Sequence, residues 1–208
     1  MYSLILDSST SILYVCLVKN KTVLYEVYLK GNRDHAKNIV LKIEEALTEN
    51  NLTTADLDEV ICGVGPGSYT GVRMAVTVSK MLSSLGDITL KRISTLLLMS
   101  SGTDKISIPT IDARRGNVFS AKYDNMSLVE EEALRNKEAF FDDELPNPNE
   151  SDFKVNPLKV ISYAKLVEEP DGLVPNYLRI TEAERSLHDK ENGMQWYWYN
   201  HKTRNWSL

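Results

Sequence analysis

Cysteine is scarce in this chain, and its scarcity excludes a good deal. The 208 residues hold two, Cys16 and Cys62. Neither belongs to a CxxC pair and neither has a histidine nearby, so no zinc site is expected. Both lie in apolar, strand-like runs, where cysteine serves as a small core hydrophobe. Histidine is as thin: His35, His188 and His201 are scattered, without H-x-x-x-H or H-E-x-x-H spacing, and no metal or cofactor is expected. No apolar stretch approaches the roughly 20 residues of a membrane span. The amino terminus, Met1-Tyr2-Ser3-Leu4-Ile5-Leu6-Asp7, enters a strand directly, with no basic segment and apolar core of a signal peptide. A cytoplasmic protein without membrane contact is expected. Positive charge is short as well, with a formal net charge of −5 and only the small groups Lys91-Arg92 and Arg114-Arg115. Gripping nucleic-acid phosphates takes clustered Lys and Arg, so any RNA contact needs a more basic partner.

What remains is an ordinary globular composition, 42% apolar and 25% charged, long enough for one full domain or two small lobes. Its most specific stretch is Gly63-Val64-Gly65-Pro66-Gly67-Ser68-Tyr69-Thr70-Gly71-Val72-Arg73, between a strand at Leu57–Cys62 and a helix at Val72–Leu85. Glycine enters positive φ freely and proline holds φ near −65°, so this loop follows an unusual path. It lacks the Gly-Lys of a Walker loop, and Gly65, Gly67 and Gly71 miss the G-x-G-x-x-G dinucleotide spacing. Two readings stay open. Gly65, Pro66, Gly67, Ser68 and Gly71 form a rigid structural turn, or the amides of the following helix hold an anion.

That helix carries a small-residue row, Gly71, Ala75 and Ser79, at i, i+4 and i+8. Val72, Val76, Val78, Met81, Leu82 and Leu85 cover most of the rest. A helix apolar nearly all round is deep in a core or meets both its own sheet and a partner. The row is expected to let a partner backbone come close.

Three strands (Tyr2–Asp7, Leu13–Lys19, Thr22–Leu29) precede a first helix, Asp34–Asn50, with Ile39, Ile43, Ala46 and Leu47 on one face. A strand at Ile88–Ile93 and a short helix at Thr95–Ser101 close the first half. The second half echoes the first. Leu4-Ile5-Leu6-Asp7 turns into Leu13-Tyr14-Val15-Cys16, and about 105 residues later Pro109-Thr110-Ile111-Asp112 turns into Val118-Phe119-Ser120-Ala121. Two Asp-tipped hairpins suggest a two-lobed α/β architecture of the actin-like (ASKHA) type: residues 1–102, a smaller second lobe at 103–185, and a Trp/Tyr-rich tail at 186–208. In that superfamily such hairpins cradle nucleotide phosphates. Here Asp7-Ser8-Ser9-Thr10-Ser11 lacks the phosphate-meeting glycine and the second turn holds Arg114-Arg115. Past Tyr123 the chain is acidic, then Pro- and Asn-rich, with few strong elements. An enzyme using Asp7 and Asp112, either an actin-like ATPase or a small-molecule kinase, stays the alternative to a binding scaffold.

Five ordered segments (Asp7-Ser8-Ser9-Thr10, Gly65 to Arg73, Ile93-Ser94-Thr95-Leu96, Ile111-Asp112-Ala113-Arg114-Arg115-Gly116 and Pro175-Asn176-Tyr177-Leu178-Arg179) resemble the bacterial TsaB (YeaZ) family, over residues 1 to about 185. The resemblance implies a non-catalytic subunit of the tRNA threonylcarbamoyladenosine (t6A) machinery. It would pair with the paralogous enzyme TsaD, join the ATPase TsaE within the assembly, form a homodimer when alone, and meet tRNA only through the complex. It implies a docking face on the first two long helices, here His35, Ile39, Val72, Ala75, Val76, Ser79 and Leu82. TsaD-like proteins carry a metal-binding histidine pair after the second of these helices; this chain has Lys91-Arg92-Ile93-Ser94-Thr95-Leu96 there. The tail around Trp196-Tyr197-Trp198 does not resemble the family.

Overall fold

In the computed structural model the described residues are 1–31, 35–137 and 145–178. β1 (Tyr2–Asp7), β2 (Ile12–Lys19) and β3 (Thr22–Lys30) form an antiparallel meander, with Leu6 opposite Val15 and Tyr14 opposite Tyr28. Asn20 turns the second hairpin at φ 56°, a left-handed conformation that Asn tolerates better than most residues. α1 (His35–Thr48) leads to β4 (Glu59–Gly63), parallel to β1. α2 (Tyr69–Ser84) leads to β5 (Thr89–Ile93), parallel to β4. After α3 (Thr95–Ser100) comes a second, antiparallel sheet: β6 (Ile106–Ser107), β7 (Thr110–Arg114), β8 (Asn117–Asp124) and β9 (Ser127–Asn136). α4 (Pro157–Tyr163) and β10 (Lys165–Leu166) follow, and β10 completes a first sheet of order β10-β5-β4-β1-β2-β3.

Both faces of the first sheet are covered, which is why β1 and β2 are apolar without alternation. Leu4, Leu6, Leu13, Val15 and Leu17 face α1 and α2, with Ile39, Ile43, Val72, Ala75 and Leu82 packed on them. Ile5, Tyr14, Cys16 and Val18 face the other way, onto α3 and the second sheet through Leu96, Met99, Ile111 and Phe119. Cys16 and Cys62 are both buried and free, as core cysteines should be.

Three elements depart from expectation. β9 carries Glu130-Glu131-Glu132 and was not legible as a strand. Among the described residues it pairs only with β8 and its acidic residues are solvent-exposed or half-exposed, so cross-strand pairing holds it despite poor strand propensity. α4 sits in a Pro- and Asn-rich stretch because Asn156 caps it, accepting from Leu158 N at 3.2 Å and Lys159 N at 3.3 Å, with Pro157 at the first helical position. β10 returns from the second half of the chain to the edge of the first sheet, with Lys165 opposite Arg92. The later residues are therefore not confined to a second lobe. The tail at 186–208 lies outside the described residues.

Candidate functional site

Two places concentrate chemistry. The first is the carboxyl end of β1 and β4, where the glycine loop meets Asp7. Asp7 is completely buried. Its carboxylate accepts from Thr95 Oγ1 at 2.6 Å and from Ser9 N at 2.8 Å. Burial pushes the Asp7 carboxyl up to about 6, against the lowering effect of those hydrogen bonds. Thr95 Oγ1 also accepts from Gly65 N at 3.1 Å, and Thr95 N donates to Gly65 O at 2.9 Å, so one threonine joins Asp7 to the loop.

The glycines serve this chain itself. A methyl at Gly63 would overlap the Asp7 carboxylate; at Gly67, the Ser9 carbonyl; at Gly71, the Ser8 carbonyl. Ser68 N donates to Ser9 O at 2.7 Å, and Ser8 Oγ donates to Gly71 O at 2.7 Å. The β1–β2 turn thus lies in the space that a glycine loop would offer a phosphate. Ser68 Oγ caps α2 by accepting from Gly71 N at 3.4 Å, and Gly65 sits at φ +90°, which accounts for a glycine there. Between the two open readings of the loop, the packing supports the rigid turn.

Asp112 is in another environment. It is exposed, its Oδ1 accepts from Arg114 N at 2.9 Å, and its own N–H donates to Glu150 Oε2 at 3.1 Å. Arg114 and Arg115 form the hairpin turn at φ 64° and 55°. Among the described residues no group of three or more His, Cys, Asp or Glu could hold a metal.

The second place is the outer face of α1 and α2. Ile39, Val72, Ala75, Val76, Ser79 and Leu82, expected on a partner surface, are each buried within this chain, none above 5% exposed. Ile39, Val72, Ala75, Val76 and Leu82 belong to the core on the chain's own sheet, and of the six Ile39 alone also borders the groove described below; the small row brings α2 close to β4 and to the β1–β2 turn. His35 opens α1, and its side chain lies outside the described residues. Two residues along a helix rotate by about 200°, so the row Tyr69, Arg73, Thr77 and Met81 lies opposite Gly71, Ala75 and Ser79. Tyr69, Arg73 and Thr77 of this row line a groove of about 410 Å³ with Ile39, Thr70, Met74 and Val78. Val40, Leu41, Tyr69, Met81 and Leu85 are all at least 46% exposed on or next to these helices. Large apolar side chains exposed on adjoining helices are a feature that interaction surfaces share. Sequence reasoning missed Tyr69, Arg73, Met74 and Thr77, although the four-residue spacing of the outer row was there to be seen.

Residues 25–176 match the family model described as TsaD, tRNA N6-adenosine threonylcarbamoyltransferase. The chain belongs to that family. Within it, the chain is similar to the tRNA threonylcarbamoyladenosine biosynthesis protein TsaB of Bacillus subtilis, 29% identical over 223 aligned residues, covering 88% of this chain and 96% of that one. TsaB of Escherichia coli is 30% identical over 128 residues, 59% of this chain and 55% of the relative. Two solved structures share the fold: a Pseudomonas aeruginosa protein with similarity to the peptidase YeaZ (TM-score 0.73, 21% identity, 86% of this chain and 99% of that one), and YeaZ from Pseudomonas aeruginosa (TM-score 0.71, 21% identity, 85% and 99%). The fold class is thus the expected actin-like α/β one. No helix among the described residues is long and apolar enough to cross a membrane.

Proposed function

We propose that this chain is the non-catalytic subunit of a tRNA t6A-modifying complex, docking a TsaD enzyme through the outer face of α1 and α2. The family model and the TsaB relatives support the pathway. The observation that supports a non-catalytic role is the closure of Asp7. An actin-type ATPase needs a carboxylate that reaches nucleotide, metal or attacking water. Here that carboxylate is fully buried, held by Thr95 and Ser9, and the adjoining glycine loop is packed against the chain's own turn. The exposed apolar stripe on α1 and α2 supports docking. TsaE joins through the complex, a second copy occupies the face when TsaD is absent, and tRNA is met only through the partner, in keeping with the net charge of −5. A cytoplasmic location follows from that role.

The test is reconstitution. With TsaD, TsaE, tRNA and the threonylcarbamoyl donor, omission of this chain should abolish or sharply reduce t6A formation, and the chain should co-elute with TsaD on a sizing column. Alone, it should show no ATP saturation by calorimetry. Micromolar ATP binding with unaided hydrolysis, lost on Asp7→Asn or Asp112→Asn, would establish the ATPase instead.

A further inference from the structure

The segment Pro175-Asn176-Tyr177-Leu178 has no role in the reading above, yet it is fastened to both the glycine loop and the docking face. Asn176 N donates to Val64 O at 2.7 Å. Next to it, Tyr177 stacks on Tyr69 with ring centroids 5.4 Å apart and planes at 27°. The Tyr177 hydroxyl accepts from Arg73 Nε at 2.8 Å, and the Arg73 guanidinium carbon lies 4.2 Å from the Tyr69 ring centroid. Tyr69 and Arg73 both line the groove. A long, exposed arginine costs rotamer entropy to fix, and a stacked, hydrogen-bonded one has lost part of that freedom before any partner arrives.

We propose that Tyr177 is a positioning residue of the docking face, presenting Arg73 to a carboxylate on the partner. Only Nε is used by Tyr177; the N–H groups on the two Nη atoms make no hydrogen bond to the described residues and suit a bidentate carboxylate. Charge complementarity points the same way. α2 contains Arg73 and Lys80 and no acidic residue, in a chain of net charge −5. Lys80 is already engaged, donating to Asp171 O at 2.7 Å, and Arg73 is the cation among the described residues that line the groove. The fitting partner is an apolar helical surface carrying an Asp or Glu over Arg73.

This inference rests on the docking role proposed above, and calorimetry of the full chain against TsaD of the same organism, at low and high salt, tests both. Arg73→Gln should weaken binding about fivefold and flatten its salt dependence. Tyr177→Phe keeps the ring stack and loses the hydroxyl; it should weaken binding about threefold with an unchanged melting temperature. In the Arg73→Gln background Tyr177→Phe should add nothing. Arg73→Lys keeps charge without the fork and should fall between wild type and Arg73→Gln. Additive losses, or wild-type binding by either single variant, overturn the positioning role while leaving the docking role intact. Failure of the wild-type chain to bind TsaD at all overturns both.

Discussion

Asp7 sits at the junction of β1, the β1–β2 turn, the glycine loop and α3, and no described cation pairs with it. The groups facing it are the Ser9 and Thr95 hydroxyls, the Gly63 backbone and the Cys62 thiol, which burial pushes up to about 12 and so keeps uncharged. An acid whose folded value is raised, from 3.8 to about 6, binds its proton more tightly folded than unfolded. Its effect on stability is nil below the unfolded value, where both states are protonated. Between pH 4 and 6 stability falls, by about 3 kcal/mol in all, and the penalty persists above pH 6. Asp7→Asn removes this loss and keeps an oxygen to accept from Ser9 N. Thermal melts from pH 4 to 8 should show wild type and variant converging at acid pH, with the variant gaining as pH rises. A difference that stays constant across the range would contradict the buried-charge account. Such a residue was legible in sequence as a strand-tip aspartate. Its burial was not, because the groups that seal it come from residues 63–71 and 95.

In α2 the open question is which face turns inward. Its sequence contains two rows of four-residue spacing, one small and one mixed, and helical periodicity makes them opposite without saying which meets the sheet. Ser79 is fully buried, so Ser79→Arg forces a long cation into a packed core and should cost several kcal/mol of stability. Thr77 is exposed on the groove. Thr77→Glu places a negative charge one turn from Arg73, beside the position expected for the partner's carboxylate. It should melt within a few degrees of wild type yet lose TsaD binding by at least about tenfold. Paired measurement of melting temperature and binding separates the two faces. Normal folding of Ser79→Arg with loss of binding would reverse the assignment.

At the scale of the whole molecule, the first sheet is closed late in the chain. β10 pairs with β5, Val167 N donates to Leu90 O at 2.9 Å, and Leu173 enters the core beside α2 at 6% exposure. Met1–Leu178 form a single compact unit. A chain ending at Leu178 should therefore melt cooperatively, whereas one ending at Ala164 loses the edge strand and the Leu173 and Val167 packing. The shorter chain should be less stable by at least about 2 kcal/mol, read from urea midpoints. Equal midpoints would show that the returning segment adds nothing. Local pattern suffices for the strand meander, the two crossover helices, the glycine loop and the paired Asp hairpins, because periodicity, turn residues and capping act within a few positions. It took the assembled fold to settle which stripe of α2 is inside, that Asp7 is sealed by its neighbours, and that Tyr177 reaches Arg73 across 104 residues of chain. These depend on which surfaces meet once the sheet forms, and such long-range contacts leave no periodic trace in the segments that make them.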